Sequence, residues 1–305
     1  MQDGEVIEAP ADQTLFTKRY TEETIRFIRE NKDEPFFVYL AHNMPHIPLH
    51  ASEAFVGKSM RGLYGDVIEE LDWSVGRILD ALQEEGLDKK TFVVLTSDNG
   101  PKKEAGGSSL DLKGAKGSSF EGGVRVPCLM RWPGKIPAGG ETDEPAAIMD
   151  LLPTLLELAG GEVPTEPVID GKDIWPLVSG GAGAQSPHEA YYYFKGASPK
   201  GIRVGDWKFI IEESPKEEKQ SVPIELTKEE RKLPRDERRA LIKRKRAELG
   251  LRKGSIPALY DLNTDRSEQQ NRVGDKPEFA GKLKEKMEAF HSDLNTKSRP
   301  IGISE

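Results

Sequence analysis

Three short stretches hold the side chains best suited to chemistry. TSDNG (96–100) places a carboxylate beside a carboxamide, Asp98 and Asn99, at the end of an apolar run. Their hard oxygen atoms suit Ca2+ or Mg2+ and not zinc, although Asp-Asn-Gly is also ordinary turn chemistry. AHNMPHIPLH (41–50) brackets His46 between Pro45 and Pro48, which fix the backbone on either side. An imidazole held that way can donate a hydrogen bond or shuttle a proton near neutral pH; it can equally be a loop histidine bonded to backbone carbonyls. His42 and His50 read as less constrained loop residues. KGAKGSSFEGGVRVP (113–127) carries Lys113 and Lys116 among glycines that let the backbone approach a ligand closely. An ammonium there can neutralise the oxygens of a sulfate or phosphate group, and it can also be a plain surface lysine. Glu121 and Arg125 read as a pair that braces this loop.

The elements that must position these residues can be read from periodicity. TEETIRFIRENK (21–32) is predicted as a helix capped by Thr21, with Glu22 and Glu23 at its positive end. FFVYL (36–40) and TFVVLT (91–96) are apolar runs of strand length, read as strands buried on both faces. Between them, Val67, Ile68, Leu71, Val75, Ile78, Leu79 and Leu82 fall at helical spacing over 64–85, and Gly86 fits the C-terminal cap. Strand, helix, strand predicts a βαβ unit and a mainly parallel sheet, with Asp98 and Asn99 at a carboxyl end, where such sheets place ligands. VPCLMRW (126–132) is a further strand with Cys128 as a core position, and IMDLLPTLLELAGG (148–161) a compact helix ended by glycines. After the linker-like GGAGAQSP (180–187) come YYYF, a hairpin turning at Gly205-Asp206, LYDL, and a last helix over 277–294. Residues 212–250 mix both signs of charge, which reads as a solvated helix or mobile insertion and not as a nucleic-acid surface.

The totals narrow the class. A chain of 305 residues, 36% hydrophobic and 31% charged, is a polar globular protein of one large or two modest domains. No run has the apolar length of a membrane span, and a net charge of −8 argues against general nucleic-acid binding. A lone cysteine excludes an intrachain disulfide and a Cys-based zinc cluster. MQDGEVIEAPADQ is acidic without an apolar stretch, so no signal peptide is expected there, and the compartment is left open.

The order of the stretches adds what each lacks alone. A strand followed by H-x-P, a helix, a strand followed by D-N-G, then K-G-x-x-[FY]-E-G-G-x-R-x-P resembles the sulfatase family of the alkaline-phosphatase superfamily. The likeness runs on through RWPGKIPAG (131–139), MDLLPTLLELAG (149–160), DGKDIWPLVSG (170–180), GDWKFI and LYDLNTDRSEQQN. It implies an α/β, alkaline-phosphatase-like fold with a mainly parallel sheet flanked by helices, over 1–185. A small C-terminal antiparallel sheet plus helix would occupy 186–305, with the charged insertion near 212–250. It implies hydrolysis of sulfate esters, with Asp98 and Asn99 as ligands of a divalent metal, most often calcium and otherwise magnesium. Lys116, which directly precedes GSSFEGG, would bind the sulfate group, and His46 would contact the ester and help the leaving oxygen depart. The family's nucleophile, a formylglycine made in a C-x-[PA]-x-R segment, and its upstream acidic metal ligands are not found in this sequence. The resemblance is therefore to a C-terminal portion, expected to be inactive alone, with exposed sheet edges, and with an N-terminal half as a potential partner. Two alternatives stand beside it: a stand-alone pseudo-enzyme that binds an anion or a partner chain, and a phosphoryl-transferring relative. Members of the family are typically exported, periplasmic or lysosomal.

Overall fold

The computed structural model describes residues 3–166, 168–213, 226–248 and 255–298. They fall into two compact units, Met1–Ser108 with Val126–Pro187, and Ser109–Arg125 with His188–Glu305. The chain thus enters the second unit in mid-course, goes back to the first, and leaves it again after Pro187.

The first unit opens with α1 (Phe16–Glu30) and α2 (Gly62–Glu84). α2 occupies the helix its periodicity predicts, and Gly86 takes φ +69°, as a helix-closing glycine does. α1 starts well before Thr21. The start signal is Asp12, whose carboxylate accepts from the Thr14 amide of a lead-in turn. Thr21 is therefore not a cap: it lies buried in mid-helix, donating to Thr17 O at 2.7 Å and meeting Ser74 Oγ of α2 at 2.6 Å. Ile28, Leu82 and Leu87 pack with Phe36, Ile78, Leu79 and Val93, and this core ties the two helices to the apolar segments after them.

β1 (Val93–Thr96) comes next. A single helical turn, α3 (Glu121–Val124), belongs to the second unit, and β2 (Cys128–Arg131), α4 (Leu151–Leu158) and α5 (Trp175–Val178) complete the first. β1 and β2 pair antiparallel, Thr96 opposite Cys128, and make a two-stranded sheet. The predicted strand at 36–40 does not form. Phe36 packs inward, but Phe37 and Tyr39 are 71% and 83% exposed. Apolar composition makes a segment extended, whereas only a neighbour makes it a strand, and among the described residues none pairs with it. The predicted βαβ unit and its parallel pairing are accordingly not seen among these residues. Cys128, read as a core position, is exposed, and so is Leu129, which alternation places on the opposite face.

The second unit is a four-stranded antiparallel sheet in the order β3-β4-β5-β6: β3 (Tyr191–Lys195), β4 (Ser198–Val204), β5 (Trp207–Glu213) and β6 (Ser255–Asp261). β4 and β5 form the predicted hairpin, with Gly205 at φ +54° in its turn. α6 (Arg235–Glu248) is the described helical part of the charged stretch, much of which lies outside the described residues. α7 (Pro277–Lys297) lays Ala280, Leu283 and Met287 against Ile202, Phe209 and Leu259 on one sheet face. Each of the larger of these side chains, fully buried, stabilises the fold by about 1.5–3 kcal/mol. Alternation along β5 sends Lys208 and Ile210 to the opposite face, where Ile210, Ala258 and Tyr260 meet Phe120. The segment 109–125 is thus the second cover of this sheet.

Candidate functional site

Asp98 and Asn99 lie just past the carboxyl end of β1 in the first unit, Asp98 exposed and Asn99 half-buried above a buried Gly100. Asn99 Nδ2 donates to Asp98 Oδ2, so carboxylate and carboxamide are already side by side. The donor chemistry suits a hard cation. The number does not, since such an ion takes roughly six to eight oxygens, and among the described residues no group of three or more His, Cys, Asp or Glu is placed to hold a metal. On their own these residues do not make a calcium or magnesium site.

His46, also in the first unit, stands exposed between Pro45 and Pro48, both preceded by cis peptide bonds. Its loop is tied to α2 on either side. Met44 and Leu49 pack with Val67 and Leu71, while buried carboxylates of α2 collect loop amides: Glu70 accepts from Ser52 at 2.9 Å, and Asp66 from Gly57 and Ser59 at 2.9 and 2.8 Å. Those amides hold the Asp66 carboxyl below its ordinary range. His46 Nδ1 lies 2.7 Å from the Ile47 carbonyl, which can only accept, so Nδ1 carries a proton and Nε2 is the atom left to give or take one. His42 is more constrained than expected. It is half-buried, its Nε2 is 3.3 Å from Ser74 Oγ, its Nδ1 has no hydrogen-bond partner among the described residues, and burial pushes its pKa down.

The loop around Lys116 belongs to the second unit and is closed on itself. Gly122 N–H donates to Lys113 O at 2.7 Å, and Ser118 Oγ bridges the Ala115 amide and carbonyl at 3.2 and 2.8 Å. Gly114 and Gly117 sit at φ +83° and +85°, flanking Lys116 with backbone that side-chain-bearing residues avoid. The two lysines are treated differently. Lys113 Nζ donates to Tyr260 Oη at 3.1 Å and Glu268 O at 3.3 Å and lies 4.2 Å from the centre of the Phe120 ring. Lys116 is exposed, with no hydrogen bond or ion pair to any described residue. Of the pair, Lys116 is the cation presented outward.

Glu121 braces the loop, with its carboxylate on Lys208 of β5 at 2.8 Å. Lys208 is fully buried, also pairs with Glu268 at 3.0 Å, and lies 4.8 Å from the centre of the Tyr193 ring. Glu268 in turn accepts the Glu121 N–H at 2.6 Å. Neither Lys208 nor Glu268 is given a role by sequence patterns alone. A signal exists for Lys208: it is the one charged residue within the otherwise apolar run WKFII.

The family model described as Sulfatase matches residues 4–161, just over half of the chain. The chain belongs to the sulfatase family. A second model, the C-terminal region of N-sulphoglucosamine sulphohydrolase, matches residues 115–214. Among curated sulfatases, mouse steryl-sulfatase is 42% identical over 211 residues, covering 67% of this chain and 34% of that protein. Mouse N-acetylgalactosamine-6-sulfatase is 40% identical over 198 residues, covering 63% and 38%. A structure from work on the metabolism of multiple glycosaminoglycans by Bacteroides thetaiotaomicron aligns with TM-score 0.71 at 28% identity, over 92% of this chain and 55% of that one. A sulfatase from Pseudoalteromonas sp. aligns at TM-score 0.75 and 22% identity, over 95% and 55%, and shows the shared fold. The α/β sulfatase fold is thereby established for this chain. It spans about a third of the length of these curated sulfatases and about half that of the solved ones.

Proposed function

We propose that this chain carries the sulfate-binding and leaving-group side of a sulfuric ester hydrolase. Lys116 is the cation that pairs with the ester's sulfate oxygens, offsetting charge that grows as the S–O bond breaks. His46, with Nδ1–H committed to the Ile47 carbonyl, acts as the acid in its imidazolium form, giving the Nε2 proton to the departing oxygen and keeping the Nδ1 proton. Asp98 and Asn99 contribute two oxygen donors toward a divalent cation whose remaining donors come from elsewhere. The nucleophile is not among the residues of this sequence; in the family it is formylglycine, and Cys128 does not lie in such a motif. The observation that carries the reading is Lys116, exposed and without a partner among the described residues, on a loop closed by Gly122–Lys113 and Ser118–Ala115 bonds.

The test is hydrolysis of paired aryl sulfate and aryl phosphate esters by an enzyme in which this chain is joined to a formylglycine-bearing segment. Lys116→Ala lowers kcat/KM for the sulfate ester by about 100- to 1000-fold, as loss of a charge-stabilising group does. Unchanged kinetics in that variant would remove the assignment, and a preference for the phosphate ester would favour a phosphoryl-transferring relative. A second reading takes the residues of this sequence by themselves: with an outward-facing ammonium on Lys116 and no formylglycine motif, they bind sulfate without turning it over. Titration of the chain with inorganic sulfate, with no hydrolysis of the sulfate ester, is its expected signature.

A further inference from the structure

The second unit spends an unusual device on the Lys116 loop. Lys208 is fully buried between two carboxylates, those of Glu121 and Glu268, and both acids are buried as well. Removing such charges from water is expensive, and truncation of one partner costs more than the pair contributes. The triad sets two carboxyl groups against one ammonium, and burial raises the Glu268 pKa against the pull of Lys208. An apolar trio would cover the sheet at less cost. Glu268 holds its place with its backbone at φ +53°, a region that residues other than glycine adopt at a cost.

What the arrangement provides is two independent grips on the loop. Glu268 Oε2 takes the Glu121 amide at 2.6 Å, and Lys208 takes the Glu121 carboxylate at 2.8 Å. The Glu268 carbonyl also receives Lys113 Nζ, so the lysine that opens the loop and the glutamate that closes it reach the same residue. Gly122 N–H closing on Lys113 O makes the span between them a ring, with Lys116 inside it. Nothing in the triad touches Lys116 itself.

We propose that Lys208, Glu121 and Glu268 are positioning residues that fix the loop 113–123 so that Lys116 meets its anion in a preset geometry. This rests on the sulfate-binding reading of Lys116. A preset site does not have to order the loop at the moment of binding, so the clamp appears as affinity.

The experiment pairs amide hydrogen exchange with titration by inorganic sulfate, on the chain as it exists. Glu268→Met is expected to raise exchange at the amides of 121–123 at least about tenfold, leave α1 and α2 unchanged, and weaken sulfate binding severalfold. Glu268→Gln, which still offers an oxygen to the Glu121 amide, restores both readouts toward the parent. Glu121→Gln, which keeps the backbone bond, gives an intermediate loss in a chain that folds even where the Met variant does not. Exchange that stays flat in the loop overturns the clamp. So does exchange that rises uniformly through β4 and β5, or exchange that rises in the loop with sulfate affinity unmoved, because each reduces the triad to a stability element. Failure is separable on the other side: a parent chain that shows no sulfate binding dependent on Lys116 overturns the sulfate reading, whatever the exchange shows.

Discussion

At Lys208 the balance between burial and pairing is steep. Lys208→Met leaves two buried carboxylates facing each other without a cation, and the expected loss is about 3–5 kcal/mol in chemical denaturation followed by a probe in the second unit. Arg272→Ala removes an exposed pair with Asp275 3.1 Å away, and there the expected loss is about 0–1 kcal/mol. His42 supplies a pH dependence with a definite sign. Burial holds its pKa below the ordinary value near 6.5, so between the two values the unfolded chain binds the extra proton. Its contribution to stability is therefore complete above about 6.5 and is lost as pH falls through that window. Denaturation midpoints of the parent fall over this range more than those of His42→Gln; parallel curves would count against it. Asp98, His46 and Lys116 could be nominated from the sequence because each stands beside turn-making or stiff residues, and their roles remain those proposed above. The Glu121 partner could not, since it comes from residue 208, and no local pattern points that far.

Elements divide in the same way. α2 and the β4–β5 hairpin were legible, because apolar spacing and a Gly-Asp turn are local. FFVYL was not, because a strand is a property of two segments, and β1 found an antiparallel neighbour in β2 instead. Thr21 misled because a threonine before acidic residues looks like a cap, whereas here its hydroxyl bridges two helices. The closed loop is tightly packed on its own backbone. A Cβ at Gly122 would stand 2.5 Å from Lys113 O and 2.7 Å from Gly114 O, both backbone atoms that cannot swing aside. Gly122→Ala is expected to cost about 1–3 kcal/mol and to loosen the loop, seen as raised exchange at the Gly123 amide. Gly274→Ala, where the added atom meets nothing within 4 Å, serves as the matched control and shows little change.

For the molecule as a whole, the interleaved course of the chain matters more than the boundary after Pro187. A polypeptide of residues 188–305 alone would lack Phe120 and Glu121, leaving Lys208, Ile210 and Tyr260 without their cover. It is expected to melt lower and less cooperatively by circular dichroism, and a peptide of residues 109–125 added in excess is expected to raise the midpoint. A sharp, peptide-independent melt would contradict the packing of Phe120 and Glu121 on this sheet. The same interleaving sets an order in time. Glu121 leaves the ribosome 147 residues ahead of Glu268. At about 5–20 residues per second, the glycine loop waits roughly 7–30 seconds for its second carboxylate. Any message or protease cut that ends the chain before Glu268 would yield a protein with Lys116 present and its anchor never made.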